Sequence, residues 1–198
     1  AAAERSWLVD CLGSAGSHFH DLAYARDPRR VIGRCKAKSI GSECTLRSNV
    51  SRVSEIRPHL RASADKIGKR LRRKNLVASG VRVKLKTSEF RLLTRQCRLR
   101  EPTDVSDTLY AVAVKLLAEF DDSGPFRLIG LAAYALAGGT GPLQLGLLDG
   151  NDRQRRLETT LDRIAERFGD DIVQRAEGMN RLSEPRFSSD IDFLEQPD

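Results

Sequence analysis

The sequence predicts an α+β sandwich in which a four-stranded, mainly antiparallel sheet carries two helices on one face and leaves the other open. Three observations carry this. Two stretches repeat apolar residues at three- and four-residue spacing, several shorter runs alternate or are dense in β-formers, and the two kinds follow one another as strand, helix, strand, strand, helix, strand. With 198 residues and 40% hydrophobic content the chain can bury one ordinary core and still carry extensions at both ends.

Residues 4–27 read as the end of a helical segment too short to stand alone, with apolar Trp7, Leu8, Leu12, Phe19 and Leu22 interrupted by Gly13 and Gly16. Asp27-Pro28-Arg29-Arg30 follows as a linker, since the residue before proline is steered away from helix. Lys36 to Arg47 suits an extended segment. The first helix starts near Ser54, a candidate cap, and runs through Ile56, Leu60, Ala64, Ile67 and Leu71, with Pro58 placed in its first turn. Arg57, Arg61, Lys69, Arg70 and Arg73 are read as its solvated face. Val81 to Lys86 alternates apolar with cationic residues, the pattern of a half-buried strand. Phe90 to Leu99 is its hairpin partner. Thr103 or Asp104 caps a second helix through Leu109, Val112, Ala113, Leu116, Leu117 and Phe120, closed by Gly124-Pro125. Phe126 to Ala137 is the last strand, at the sheet centre or under both helices. The order is that of a ferredoxin-like split βαβ sandwich. Beyond it come a further amphipathic helix, with Leu157, Leu161, Ile164 and Phe168 on one side, and an acidic tail expected to be disordered.

The formal net charge of +7 conceals a strong asymmetry. Residues 29–100 hold 22 lysines and arginines against 4 acidic residues, and the rest of the chain holds 12 against 23. A segment that basic attracts a polyanion, and a surface that displaces counterions from a nucleic acid is the usual reason. No run of apolar residues is long enough to span a bilayer and the N-terminus lacks the order of a secretory signal, which points to a soluble intracellular protein. Cys11, Cys35, Cys44 and Cys97 form no C-x-x-C pair, so they read as reduced structural residues, not as a zinc ribbon or disulfide frame. His18 and His20 flank Phe19 without further ligands nearby in sequence and read as packing or surface residues.

Four motifs, in order, resemble the little finger of Y-family translesion DNA polymerases of the DinB, DNA polymerase IV-like type. Lys38-Ser39-Ile40-Gly41-Ser42-Glu43 resembles the family's opening strand, while Val81 to Lys86 and Phe90 to Arg95 resemble its central hairpin. Pro102-Thr103-Asp104 with Leu109-Tyr110 is similar to the start of its second helix, and Arg127-Leu128-Ile129-Gly130-Leu131 to its last strand. Leu12 to Arg26 resembles the end of the family's thumb. The resemblance implies the following organisation: 1–28, end of thumb and start of the linker; 29–138, the little finger; 139–150, a flexible segment; 151–176, a helix and a short extended segment; 177–198, the acidic tail. It also implies that palm and fingers, with the carboxylates that hold two magnesium ions for nucleotidyl transfer, would precede residue 1, so that this chain alone holds no catalytic residue, cofactor or metal. The implied setting is the bacterial cytoplasm, at the nucleoid.

In that family the little finger lays its sheet on duplex or primer-template DNA through backbone contacts that ignore sequence. The resemblance carries phosphate contact onto Lys38, Ser39, Gly41, Thr94 and Arg127. The pattern adds Arg82, Lys84, Lys86, Arg95 and Arg98, because cations two residues apart on a strand repeat every ~6.8 Å, comparable with phosphate spacing along one DNA strand. Such contacts position a protein without specifying sequence. Gln144-Leu145-Gly146-Leu147-Leu148 resembles the family's sliding-clamp peptide, with Gln144 at the pocket rim and Leu145, Leu147 and Leu148 in the pocket; Leu148 stands where phenylalanine is typical. Asp190-Ile191-Asp192 pairs carboxylates as metal-clamping sites do, but in an acidic tail it reads as solvated. Two other functions stay open: a polymerase-like accessory module without an active palm, and a ferredoxin-like RNA binder. The second fits poorly, because its central strands would present stacking aromatics and only Phe90 stands near a strand end.

Overall fold

The computed structural model describes residues 2–30, 36–120, 124–139, 150–170, 172–173 and 188–194. They fall into two units, Ala1–Cys35 and Lys36–Asp198. In the first, helices α1 (Arg5–Leu12) and α2 (Ser14–Ala23) meet at Gly13, which ends α1 at φ +62. Gly16 lies so close to α1 that a Cβ there would sit 2.0 Å from the Leu8 carbonyl oxygen. Arg5 ties the two helices by hydrogen bonds to Ser17 Oγ and Asp21. Gly16 is the only buried residue among those described in this unit, and Trp7, Leu12 and Phe19 lie exposed. That agrees with a segment too short to make its own core. His20 stacks on Tyr24, ring centroids 4.8 Å apart.

The second unit contains the expected sandwich. Strands β1 (Ala37–Val50), β2 (Leu76–Thr87), β3 (Leu92–Thr103) and β4 (Phe126–Gly138) form an antiparallel sheet ordered β3-β2-β4-β1, covered on one face by α3 (Val53–Arg73) and α4 (Ser106–Leu117). Both β1 and β2 run antiparallel to β4, which separates them, so each strand–helix–strand crossover is split by one strand. The core lies between helices and sheet: Ile56, Leu60, Ala64, Ile67 and Leu71 of α3 meet Val81, Val83 and Leu85 of β2 and Ile129, Leu131 and Ala133 of β4. Fully burying each large aliphatic side chain contributes about 1.5–3 kcal/mol, so the periodicities seen in the sequence are the ones that hold the unit together.

Several boundaries and one terminus differ from the sequence expectation. Helix α3 begins at Val53 with Arg52 at the cap position and no side-chain cap, so Ser54 lies inside it and Pro58 falls beyond its first turn, where it withholds one backbone bond. Strand β3 starts at Leu92, not Phe90, because Phe90 takes φ +66 in a turn closed by Phe90 N–H to Thr87 O (3.0 Å) and Arg91 N–H to Thr87 Oγ1 (3.1 Å). Neither Thr103 nor Asp104 caps α4; Val105 holds the cap position, and Thr103 Oγ1 accepts from Val105 N–H at 3.1 Å. The tail expected to be disordered supplies a fifth strand, β5 (Ser188–Leu194), antiparallel to β1 at the sheet edge. The tail was read as acidic and too poor in apolar residues to order, but an edge strand pairs through the backbone ladder of its neighbour.

Helix α5 (Gly150–Phe168) is present where expected, but it turns a different face inward. Leu157 is 50% exposed and Phe168 60%, while Glu158, about 100° round the helix from Leu157, is 3% exposed. No helix among the described residues is long and apolar enough to cross a membrane. Cys11, Cys44 and Cys97 are free thiols.

Candidate nucleic-acid interface

Strand alternation sends Val81, Val83 and Leu85 toward the helices and leaves Arg82, Lys84 and Lys86 on the uncovered face. Register across the sheet then builds four rungs on that face: Ser39–Tyr134–Gly80–Arg98, Gly41–Ala132–Arg82–Gln96, Glu43–Gly130–Lys84–Thr94 and Thr45–Leu128–Lys86–Leu92. Seven of the ten predicted contact residues therefore share one surface: Ser39, Gly41, Arg82, Lys84, Lys86, Thr94 and Arg98.

The cations on this face are held in place. Arg82 Nε donates to Gln96 Oε1 at 2.8 Å and its guanidinium lies 5.3 Å from the Tyr134 ring centroid. Tyr134 leans over Gly80, whose missing side chain makes the space: a Cβ there would stand 2.3 Å from the ring. The phenol reaches on to the Cys97 carbonyl at 3.1 Å. Lys84 donates to Glu43 Oε1 at 2.7 Å across β4, passing over Gly130, where a Cβ would meet Glu43 Cγ at 3.0 Å. The basic stripe thus carries one internal counter-charge, absent from a reading of β2 by itself.

A second gathering point forms at the turn between β2 and β3. The Phe90 ring receives the Arg127 guanidinium at 4.1 Å and the Lys86 ammonium at 5.0 Å. Phe90 is 60% exposed. It was singled out only as an aromatic near a strand end; its part in holding two cations depends on the positive-φ turn, which sequence alone did not show. Arg127 joins the interface through this contact.

Two predicted residues stand apart. Arg95 pairs in register with Val83 and so lies on the helix-covered face, where its guanidinium sits 5.2 Å from the Phe120 ring and 4.0 Å from Glu119. The β3 pattern had left the register open, and one residue's shift reverses the face. Lys38 is exposed at the start of β1 and alternates with Ser39, one step out of phase with the rungs. Gln144, Leu145, Leu147 and Leu148 lie outside the described residues.

The helical face holds a polar cluster that the sequence reading missed. Glu158 of α5 accepts hydrogen bonds from the Ser106 and Asp107 amides (2.9 and 3.3 Å), capping α4 from another element. It also pairs with Arg72 of α3, whose Nε bonds Asp162 at 2.6 Å and whose Nη1 bonds the Asp104 carbonyl at 2.9 Å. Arg155 closes the cluster on Asp104 at 2.8 Å. Burial works against the charge of Arg72, but its bond to Asp162 and the attraction of Glu158 and Asp104 outweigh that and raise its pKa above the ordinary arginine value. Arg61 is likewise buried, paired with Asp65 and Asp107. Arg61, and Arg70, whose Nη1 donates to the Gly41 carbonyl at 2.9 Å, correct the reading of this face of α3 as solvated, and Arg72 was not part of that reading. The only available signal was that the apolar stripe of α5 is narrow while Glu158 and Asp162 repeat four residues apart.

Among the described residues no group of three or more His, Cys, Asp or Glu side chains could hold a metal ion. The magnesium implied for a polymerase has no fitting donors in them.

With this geometry in place, comparison with known proteins defines the class. Residues 37–147 match the model of the impB/mucB/samB family C-terminal domain, and the chain belongs to that family. "DNA polymerase IV 1" of Mesorhizobium japonicum is 30% identical over 172 residues, 86% of this chain and 39% of that protein. "DNA polymerase IV" of Exiguobacterium sibiricum is 35% identical over 121 residues, 61% of this chain and 34% of that protein. The chain therefore spans well under half the length of these relatives. Among solved structures, a Y-family DNA polymerase chimera of Dbh and Dpo4 aligns with TM-score 0.48 and 20% identity, covering 69% of this chain and 40% of that one.

Proposed function

We propose that residues 29–138 are the little finger of a DNA polymerase IV-like translesion polymerase, a module that holds primer-template duplex by its phosphates while the polymerase extends past damaged bases. The observation that supports this best is the open sheet face, where Ser39, Gly41, Arg82, Lys84, Lys86, Thr94 and Arg98 converge and Phe90 adds Arg127 at one end. Its donors are guanidinium, ammonium, hydroxyl and backbone groups, which suit phosphate oxygens and read no base edges. Sequence-blind grip is what an enzyme needs that must follow any template. Nucleotidyl transfer and its magnesium ions belong, on this proposal, to the palm and fingers of the same polymerase, and the bacterial cytoplasm is its setting.

Replacing Arg82 and Lys84 together by glutamate should weaken duplex binding by a similar factor on unrelated sequences, with the fold unchanged by circular dichroism. Arg95→Glu, on the other face, should leave binding nearly as it was. Losses that vary with base sequence would contradict the phosphate reading.

We also propose that Gln144, Leu145, Leu147 and Leu148 tether the polymerase to the sliding clamp. Gln144→Ala with Leu147→Ala should abolish association with the clamp in a pull-down with purified clamp while duplex affinity is kept. Unchanged clamp association would remove this assignment.

A further inference from the structure

The four rungs of the open face differ in charge. Arg98, Arg82 and Lys86 each supply a cation to a rung that holds no acidic residue, whereas the rung Glu43–Gly130–Lys84–Thr94 carries both signs. The partners of the β2 cations differ in the same way. Arg82 is held by the Gln96 amide and the Tyr134 ring, and Lys86 lies over the Phe90 ring, so neutral groups orient these two and leave their charge on the surface. Lys84 is held by a carboxylate, Glu43 Oε1 at 2.7 Å, which cancels it.

Glu43 is built into this place. It reaches Lys84 across β4 by lying over Gly130, where a Cβ would meet its Cγ at 3.0 Å, and its side chain is 16% exposed against 30% for Lys84. A pair this close to solvent adds little to stability, so holding the sheet together does not account for an acid at the centre of a cationic face. With Lys84 cancelled, the remaining cations of β2, Arg82 and Lys86, stand about 13.6 Å apart along the strand instead of about 6.8 Å. A phosphate placed between them meets a neutral pair. It can take the full charge of Lys84 only by displacing Glu43, which repels it.

We propose that Glu43 is an internal competitor for phosphate: it withholds Lys84 from the duplex and so sets how tightly the open face grips. The proposal deepens the DNA-binding reading above and rests on it. A grip weakened at its centre releases one phosphate and takes the next more readily, which suits a module that must follow a moving duplex. Neutralising Glu43 frees one more cation, and each further phosphate neutralised steepens the slope of log affinity against log salt by about 0.9. Between about 200 and about 50 mM salt, the advantage of the freed form over the native chain therefore grows about 3.5-fold.

The test compares the full native chain with Glu43→Gln, with Glu43→Gln joined to Lys84→Gln, and with Glu55→Gln, which removes an equal charge from the exposed start of α3. Glutamine matches glutamate in shape and its carbonyl still accepts from Lys84 Nζ, so the fold is kept, as circular dichroism would verify. Binding of a fluorescent duplex is followed by anisotropy over a salt series. Glu43→Gln should bind tighter than the native chain, with an advantage that grows about 3.5-fold over the stated salt range. The double variant should return to near the native affinity and slope, and Glu55→Gln should match the native chain. Equal or weaker binding by Glu43→Gln, an advantage that salt does not change, a double variant as tight as Glu43→Gln, or equal tightening by Glu55→Gln would each overturn the competitor while leaving the DNA-binding reading in place. Absence of duplex binding by every form at low salt would overturn that reading and the competitor with it.

Discussion

Gly80 and Gly130 show how much of the interface is decided by what a residue lacks. Both lie on central strands, where glycine weakens a sheet unless something approaches closely. Here the Tyr134 ring fills the space above Gly80, and the Glu43–Lys84 bridge crosses Gly130. Gly80→Ala should therefore displace Tyr134, lower stability by about 1–3 kcal/mol in denaturant unfolding, and loosen Arg82, which stacks on that ring. Unfolding at the native midpoint would show that the ring is not held there. The cations themselves were legible in the sequence, because alternation along β2 assigns a face without any tertiary information. Their partners were not: Glu43, Tyr134 and Gln96 are distant in sequence, and only register brings them beside Lys84 and Arg82. Arg95 failed for the same reason, since β3 has polar residues on both faces and its phase could not be fixed from within.

At the scale of elements, helical and strand periods identified α3, β2, α4 and β4 because burial of their apolar stripes dominates their free energy. Element ends were less legible, as with Phe90, because a positive-φ turn depends on local hydrogen bonds that many residues can make. Helix α5 was located by its period and misread in its orientation, since its buried anchor is a carboxylate. Glu158→Ala should leave Arg72 short of a buried partner and two α4 amides uncapped, and lower stability by about 3–5 kcal/mol in urea unfolding, whereas Leu157→Ala, exposed, should change it by less than about 0.5 kcal/mol. If the two substitutions had equal effects, α5 would not be docked through this cluster. Strand β5 lay beyond reach of composition-based reasoning altogether: an acidic, apolar-poor segment gave no sign of a ladder partner on β1.

For the molecule as a whole, charge segregation and layer order say the same thing. Arg61 and Arg72 of α3 and Arg155 of α5 are held in ion pairs, while Arg82, Lys86 and Arg98 stand on the side of the sheet that no helix covers. The family match to residues 37–147 supports reading that surface as the DNA-holding face of a polymerase-related module. The most direct test of this account is duplex binding by the full chain, measured by anisotropy across a salt series on two unrelated sequences and a primer-template junction. The account predicts binding that falls steeply and alike on all three, with a slope near −0.9 for each of roughly three to five phosphates neutralised. No binding at low salt, or a clear preference for one duplex sequence over the other, would contradict it.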